Sequence, residues 1–525
     1  MESFAEETTR NPPFPGKLPS SGPGKETLRQ RFRSEIRVRW PEWATLSLYA
    51  AVVALAIPYH EPWTDEAQSW QLARSLPLSS LFKTYIRYEG SPGLWHFFLW
   101  VLIRGHVSYA GLHWICGVIA LAASALLVFA SPLPRYLRLS IPFTYFLLFQ
   151  FSVIARNYVL IPILLFLVAY YWRKRPVVVF LLLGLLANTA LHAAVISGGL
   201  ALVFVIELLR NPEFEGLISR PRLLLYTSAL TAFYAFAIWT AFPPHDLALS
   251  RVRGESRTLI THMIVSLVWG MCEPSVLSIP FWAIITACFV SRHKFLYLLP
   301  VLFFALFSGE VYANWWHVGL LVPTLVSLLW ITWPAPGTAN SRMEKIGRFT
   351  LAFMIATQII WSCYALVYDH YRPYSPDPAA AAYLKPLVKK GDRIAITFID
   401  NQGNHAYDGV GILPYFDHNI YVNQANSFWW WSDLDTTEDK FNAILPTHPD
   451  IVLVEVRYKN PPDQVDLNQP RYESIKTAGY RFAKAYCGTF PVRLEEYLTN
   501  CHVIFEYANG VPSPADSQRY VPISR

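Results

Sequence analysis

Asp65 and Glu66 are adjacent carboxylates in HEPWTDEAQSW (60–70), framed by Trp63 and Trp70 just past an apolar run that ends at Tyr59. A carboxylate at the rim of an apolar segment is partly desolvated, and desolvation makes it a stronger base. Glu89 stands near the end of the same polar stretch. Arg156 and Tyr158 flank Asn157 at the head of a later apolar run, His192 lies at another turn, and Glu310, Trp315, Trp316 and His317 share GEVYANWWH (309–317). Carboxylates, an arginine and histidines gathered at one membrane face suit transfer chemistry on a lipid-borne anionic substrate. A carboxylate there can take a proton while cations steady an anionic group. Each residue also has a plainer reading. Thr64 could cap a helix whose first-turn acids complement its dipole, with Trp63, Ala67, Trp70 and Ala73 as an interfacial stripe. Arg156 could snorkel, His192 and His317 could pack between helices, and Trp315–Trp316 could form an interface belt. Trp429–Trp430–Trp431 reads as a buried corner or as a platform for sugar rings or a membrane surface.

The elements that must position these residues are membrane helices. Of 525 residues 53% are hydrophobic and only 15% charged, against about a quarter in soluble domains. The apolar runs are continuous, not alternating, so they are read as helices. The first 40 residues read as a disordered, basic, cytosolic N-terminus, with Lys25, Arg29, Arg31, Arg33, Arg37 and Arg39 leading into the first apolar run as an uncleaved anchor. The net charge of +7 then marks cytosolic flanks, and no nucleic-acid partner is expected. Placing the basic clusters near 135–138, 173–175, 210–222, 292–294 and 342–348 in the cytosol predicts about eleven crossings, one of them over 139–155. Segments 91–104 and 259–271 are expected to lie on or dip into the opposite face, and counting both as spans gives about thirteen. The fold expected is therefore mainly α, a polytopic α-helical membrane protein of the cytoplasmic (inner) membrane. Its parts are a transmembrane region at 41–370, a first outer loop at 60–90, and an extracytoplasmic (periplasmic) α/β domain at 371–525.

Within that last part, GDRIAITFI (391–399) and DIVLVEVRY (450–458) have strand patterns after turn residues. Cys116, Cys272, Cys288 and Cys363 lie in or near apolar runs and read as small core residues, whereas Cys487 and Cys501 in an oxidising space are expected to pair. No phosphate-binding glycine motif and no metal-ligand spacing is present.

Four stretches together resemble the GT-C membrane glycosyltransferases, the superfamily of protein O-mannosyltransferases, the aminoarabinose transferase of lipid A and lipopolysaccharide-core galacturonosyltransferases. They are PWTDEAQSWQLAR (62–74), YEGSPGLWHFFLW (88–100), ARNYVLIPILLFLVAYYW (155–172) and NWWHVGLLVPTLVSLLW (314–330), and the likeness covers roughly residues 40–370. The resemblance implies a polyprenyl-phosphate-linked sugar donor and a glycan, lipid or protein acceptor at the outer face, among membrane lipids. It makes Asp65 the catalytic base and Glu66 a helper that orients the acceptor or a divalent metal ion, should one take part. Arg156 and Tyr158 match the family's Arg and Tyr positions, with Arg156, His192 and His317 candidates for the donor phosphate and Trp63 and Glu89 for the substrate. Where the family has His-Pro-Pro, this chain has Glu89-Gly90-Ser91-Pro92-Gly93, and Trp316-His317 stands where Arg-Tyr is common. Direct attack assisted by one base implies inversion. A transporter or flippase for a lipid-linked saccharide, or a non-enzymatic membrane scaffold, would share the charges and the apolar groove.

Overall fold

The computed structural model describes residues 39–214, 216–246, 259–334, 342–399, 409–429, 437–458, 464–493, 497–508 and 520–522. The basic segment before Arg39, most of the 243–258 loop, Trp430 and Trp431 lie outside the described residues. Helices dominate. In chain order they are α1 (Trp40–Ala56), α2 (Thr64–Ser75), α3 (Leu94–Arg104), α4 (Tyr109–Ala130), α5 (Leu160–Tyr171), α6 (Pro176–Ala187), α7 (Leu191–Arg210), α8 (Arg220–Ala241), α9 (Leu259–Trp269), α10 (Ser278–Ser291), α11 (Leu299–Glu310), α12 (Leu321–Thr332) and α13 (Arg342–Tyr371).

Among the described residues, five helical stretches are long and apolar enough to cross a bilayer: Tyr109–Ala130, Leu191–Arg210, Arg220–Ala241, Trp315–Thr332 and Arg342–Tyr371. Their outward faces carry large apolar side chains in the open, such as Leu224, Leu225, Phe349 and Ile360. With no water-soluble reason for such faces, the chain is an integral membrane protein. Helix α3 and helix α9 have 11 residues each, about 16 Å of rise, roughly half the apolar thickness of a bilayer. Where helices approach closely, the contact needs glycine: a Cβ on Gly199 of α7 would lie 2.5 Å from the Cα of Pro300 in α11.

The continuous helix expected over 139–155 does not form. A short helix (Arg135–Ser140) passes into a 3₁₀ turn (Ile141–Phe143), a π turn (Phe146–Gln150) and then non-helical chain up to Arg156. Pro142 has no N–H to give to the preceding helix, which starts the break. The irregular backbone survives because it is enclosed: Tyr145, Phe146, Phe149, Phe151, Val153 and Ile154 are all buried in the main core. Its freed carbonyls find side chains, with Tyr49 Oη–H donating to Leu147 O at 2.8 Å and Ser152 Oγ–H to Leu148 O. Irregular chain at membrane depth is tolerated where protein surrounds it.

Beyond α13 lie α14 (Asp377–Lys390), β1 (Ile394–Ile399), α15 (Thr437–Ile444), β2 (Ile451–Tyr458), β3 (Gln464–Asp466), α16 (Pro470–Thr477), β4 (Tyr480–Pro491), β5 (Tyr497–Tyr507) and β6 (Tyr520–Pro522). Helix α14 ends at Gly391, whose φ of 94° is a left-handed cap that favours glycine. The main sheet has the order β1-β2-β5-β4, parallel between β1 and β2 and antiparallel elsewhere. Strands β1 and β2 fall within the two strand patterns of the sequence, and their continuous apolar runs match burial on both faces. Cys487 on β4 faces Cys501 on β5 in register, and the two form a disulfide. This C-terminal lobe docks on the helices through several contacts. Arg493 pairs with Glu273, Tyr364 and Tyr497 share a hydroxyl hydrogen bond, and Phe490 packs on Trp63.

Candidate active site

Helix α2 brings the acidic pair to the end of the helical bundle. Trp63, not Thr64, occupies the position before its first turn, and the Glu66 carboxylate accepts the Trp63 N–H at 3.1 Å. Successive residues of a helix point about 100° apart, so Asp65 and Glu66 face different surroundings. Asp65 is partly exposed in a cavity of about 180 Å³. Glu66 is turned into the protein and is 1% exposed.

Arg156 meets Asp65 in the cavity. Its Nη1 lies 2.9 Å from Asp65 Oδ2, an ion pair without well-aligned hydrogen-bond geometry. The guanidinium carbon is 5.7, 5.0 and 5.3 Å from the ring centres of Trp63, Tyr158 and Trp316. This aromatic cage offers an attractive face to a cation. Burial works against the Arg156 charge, and Asp65 together with Tyr158, Glu66 and Tyr312 more than restores it. The 151–156 chain that fails to be helical delivers both Ala155, whose N–H donates to Glu66, and Arg156.

The stacked rings of His192 and His317, 4.1 Å apart and 13° from parallel, continue the wall from the cage, with His317 against Tyr158 and Trp316. His192 Nε2–H donates to Tyr312 O at 2.9 Å, and His317 Nδ1 accepts the Asn314 N–H at 3.0 Å, which closes the short helical turn Trp315–Val318. Glu89 takes a hydrogen bond from Gln68 Nε2 at 2.7 Å. The Gln68 amide also pairs with the backbone of Trp429, donating to its carbonyl at 3.1 Å and accepting its N–H at 2.8 Å. Trp429 thereby becomes a cavity wall supplied by the C-terminal lobe.

Eight residues singled out in the sequence line this one space: Asp65, Glu89, Arg156, Tyr158, His192, Trp316, His317 and Trp429. Trp63 stands behind Arg156, packed against Trp316 and Phe490. Trp70 lies away from the cavity, against Tyr109. Glu66 belongs to a separate buried cluster. His60 Nε2–H donates to its Oε1 at 3.4 Å, and His113 Nε2–H to its Oε2 at 3.0 Å. His60 Nδ1–H reaches Asp369 of α13 at 3.2 Å. Burial would raise the Glu66 carboxyl, but hydrogen bonds from His113 and His60 outweigh it and hold it well below the usual range. Burial would lower His60, and Asp369 and Glu66 instead push it up to about 10. Nearby, Glu61 accepts the Tyr374 N–H at 2.6 Å, and burial pushes its carboxyl up to about 7.

A divalent cation does not fit this donor set. Both Glu66 oxygens are taken by protein donors, and the guanidinium of Arg156 already stands against Asp65. Among the described residues no group of three or more His, Cys, Asp or Glu side chains is placed to hold a metal ion.

Sequence reasoning missed Gln68 and His96 as parts of the cavity, and it marked Trp429 as a possible sugar platform without tying it to Asp65 and Arg156. Gln68 had a signal, since it falls three residues after Asp65 on the same helix face. His96 sits in an apolar helix with nothing beside it in sequence to mark it, and Trp429 comes from a distant lobe.

No protein-family model matches the chain, and no curated protein matches it. Among solved structures, the crystal structure of ArnT from Cupriavidus metallidurans in the apo state is similar at 11% sequence identity and a TM-score of 0.49, over 90% of this chain and 98% of that one.

Proposed function

We propose that this protein is a membrane glycosyltransferase that moves a sugar from a polyprenyl-phosphate-linked donor to an acceptor hydroxyl, with inversion at the anomeric carbon. The observation that carries the reading is the Asp65–Arg156 ion pair inside an aromatic-walled cavity at the end of apolar helices. An anionic lipid phosphate entering between those helices competes with Asp65 for the caged guanidinium. As the phosphate takes Arg156, the Asp65 carboxylate is released toward the acceptor. The acceptor oxygen then attacks the anomeric carbon, its proton passes to Asp65, and the bond from that carbon to the phosphate oxygen breaks. The leaving polyprenyl phosphate keeps the electron pair, and Arg156 steadies the charge that grows there. His192 and His317 form the wall beside the phosphate, and Glu89 holds Gln68 and so the lobe wall.

The same reading sets the topology. The cavity, residues 60–90 and a C-terminal domain at 371–525 lie on the outer side of the inner membrane, and the basic loops lie in the cytosol. The Cys487–Cys501 disulfide suits an oxidising compartment. The test is transfer of labelled sugar by purified protein from a panel of polyprenyl-phosphate monosaccharides to envelope extracts. Release of polyprenyl phosphate with an inverted product is expected. Movement of intact donor across vesicles without transfer would make the protein a flippase instead.

A further inference from the structure

His96 lines the inner wall of the cavity from helix α3, is 2% exposed, and neither of its ring nitrogens has a hydrogen-bond partner in the protein. Buried polar atoms nearly always find partners, because an unmet one forfeits its hydration without return. A histidine with two unmet nitrogens inside a cavity is therefore a group set aside for a ligand. The cavity residues Trp95 and Asn157 leave it in that state: Trp95 lines the cavity too while packing into an apolar cluster, and Asn157 is already committed to Thr189 O at 2.8 Å and to Ser91.

We infer that His96 is the sugar-recognition residue of the cavity, holding two hydroxyl groups of the donor's glycosyl unit through its two ring nitrogens. The inference rests on the transferase reading and deepens it. A neutral imidazole offers one donor and one acceptor. A phosphate only accepts, so it would leave the second nitrogen facing an anion, and its place is the guanidinium of Arg156. Neighbouring hydroxyls of a sugar both donate and accept, so a pair of them meets both nitrogens at once. Since these bonds form with the ground-state donor, His96 acts on binding and sugar choice, and proton transfer stays with Asp65.

The test measures binding of polyprenyl phosphate and of polyprenyl-phosphate monosaccharides, including deoxy forms, to wild type, His96→Phe, His96→Leu and His96→Gln. In His96→Phe and His96→Leu, affinity for one sugar-bearing lipid falls roughly 10–100-fold, the worth of two neutral hydrogen bonds, while bare polyprenyl phosphate binds as before. Deoxy donors lacking the contacted hydroxyls bind wild type and His96→Phe alike. His96→Gln, which keeps a donor and an acceptor, recovers part of the loss. The ligand-free melting temperature holds or rises in the apolar variants. Equal losses for bare and sugar-bearing lipid, or a lowered ligand-free melting temperature in both apolar variants, would overturn the inference and make His96 structural. A wild type that binds no sugar-bearing lipid more tightly than polyprenyl phosphate would also overturn it. Sugar-dependent binding without any transfer would overturn the transferase reading and leave His96 in place.

Discussion

At the scale of single residues, Asp65 and Glu66 divide two jobs between them. Asp65 stands in the cavity and Glu66 is locked between His60, His113, Ala155 and Trp63. Asp65→Asn keeps the shape and removes the basicity. Turnover is expected to fall roughly 10²–10⁴-fold with donor affinity little changed, measured by transfer and binding assays on the same preparation. Arg156→Gln is expected to weaken donor binding as well as turnover. Glu66→Gln acts differently, because it removes a buried charge that accepts hydrogen bonds from His60, His113, Ala155 and Trp63 and leaves Asp369 as the remaining anionic partner of His60. A loss of about 3–5 kcal/mol of stability is expected, read as a lowered melting temperature in detergent before any assay of turnover. The family resemblance assigned Asp65 as base and Glu66 as helper, but the sequence did not show that Glu66 is buried, since only the rotation of α2 against the core decides which acid faces the cavity. The same limit hid His96, whose significance lies in what does not touch it.

At the scale of elements, the irregular chain between Pro142 and Arg156 was not legible, because an apolar run reads as a helix whether lipid or protein surrounds it. Only packing against Tyr49 and Trp361 tells that this stretch is enclosed. Helix α2 is held at both ends. At its start, His60 links Glu66 to Asp369 of α13. At its other end, Arg74 donates to the carbonyls of Phe416 and Leu413 in the C-terminal lobe, at 2.8 and 3.4 Å. Because the folded state raises His60 from its ordinary value of 6.5 to about 10, its contribution is complete below pH 6.5 and is lost as pH climbs through 10. Glu61, raised to about 7, adds to the loss between its ordinary value of 4.5 and 7, since its ionised form is the one burial disfavours. Wild type is therefore expected to melt at progressively lower temperature from pH 6.5 to 10, and His60→Gln to flatten that slope. A slope unchanged in His60→Gln would remove His60 from the account. Gln68→Ala removes the amide that pairs with the Trp429 backbone. It is expected to weaken sugar binding while leaving the melting temperature of the helical part near wild type.

At the scale of the whole molecule, the apolar runs made the helical membrane character readable, though five stretches among the described residues are long enough to cross where about eleven were expected, and two strands of the C-terminal sheet were readable from their patterns. The docking of that sheet was not, because it depends on single pairs such as Arg493 with Glu273 and Gln68 with Trp429 that leave no periodic trace. Orientation can be tested with the disulfide intact. Of the four free cysteines only Cys363 is exposed, so a Cys363→Ser background with single cysteines at Lys174 or Lys389 suffices. An impermeant thiol reagent is expected to label the second site from outside and not the first. Replacing Cys487 and Cys501 together by serine is expected to cost about 3 kcal/mol, since the bond spans 14 residues, and to show as a lower melting transition of the lobe. The Gln68–Trp429 pairing has a further consequence for how the protein comes into being. Its partners are 361 residues apart, so the wall they form does not exist while the chain is still leaving the ribosome. The helices are made first with the cavity open on this side, and only the later segment that carries Trp429 closes it. Any activity that needs the closed cavity therefore begins only after the segment carrying Trp429 has been made and has docked.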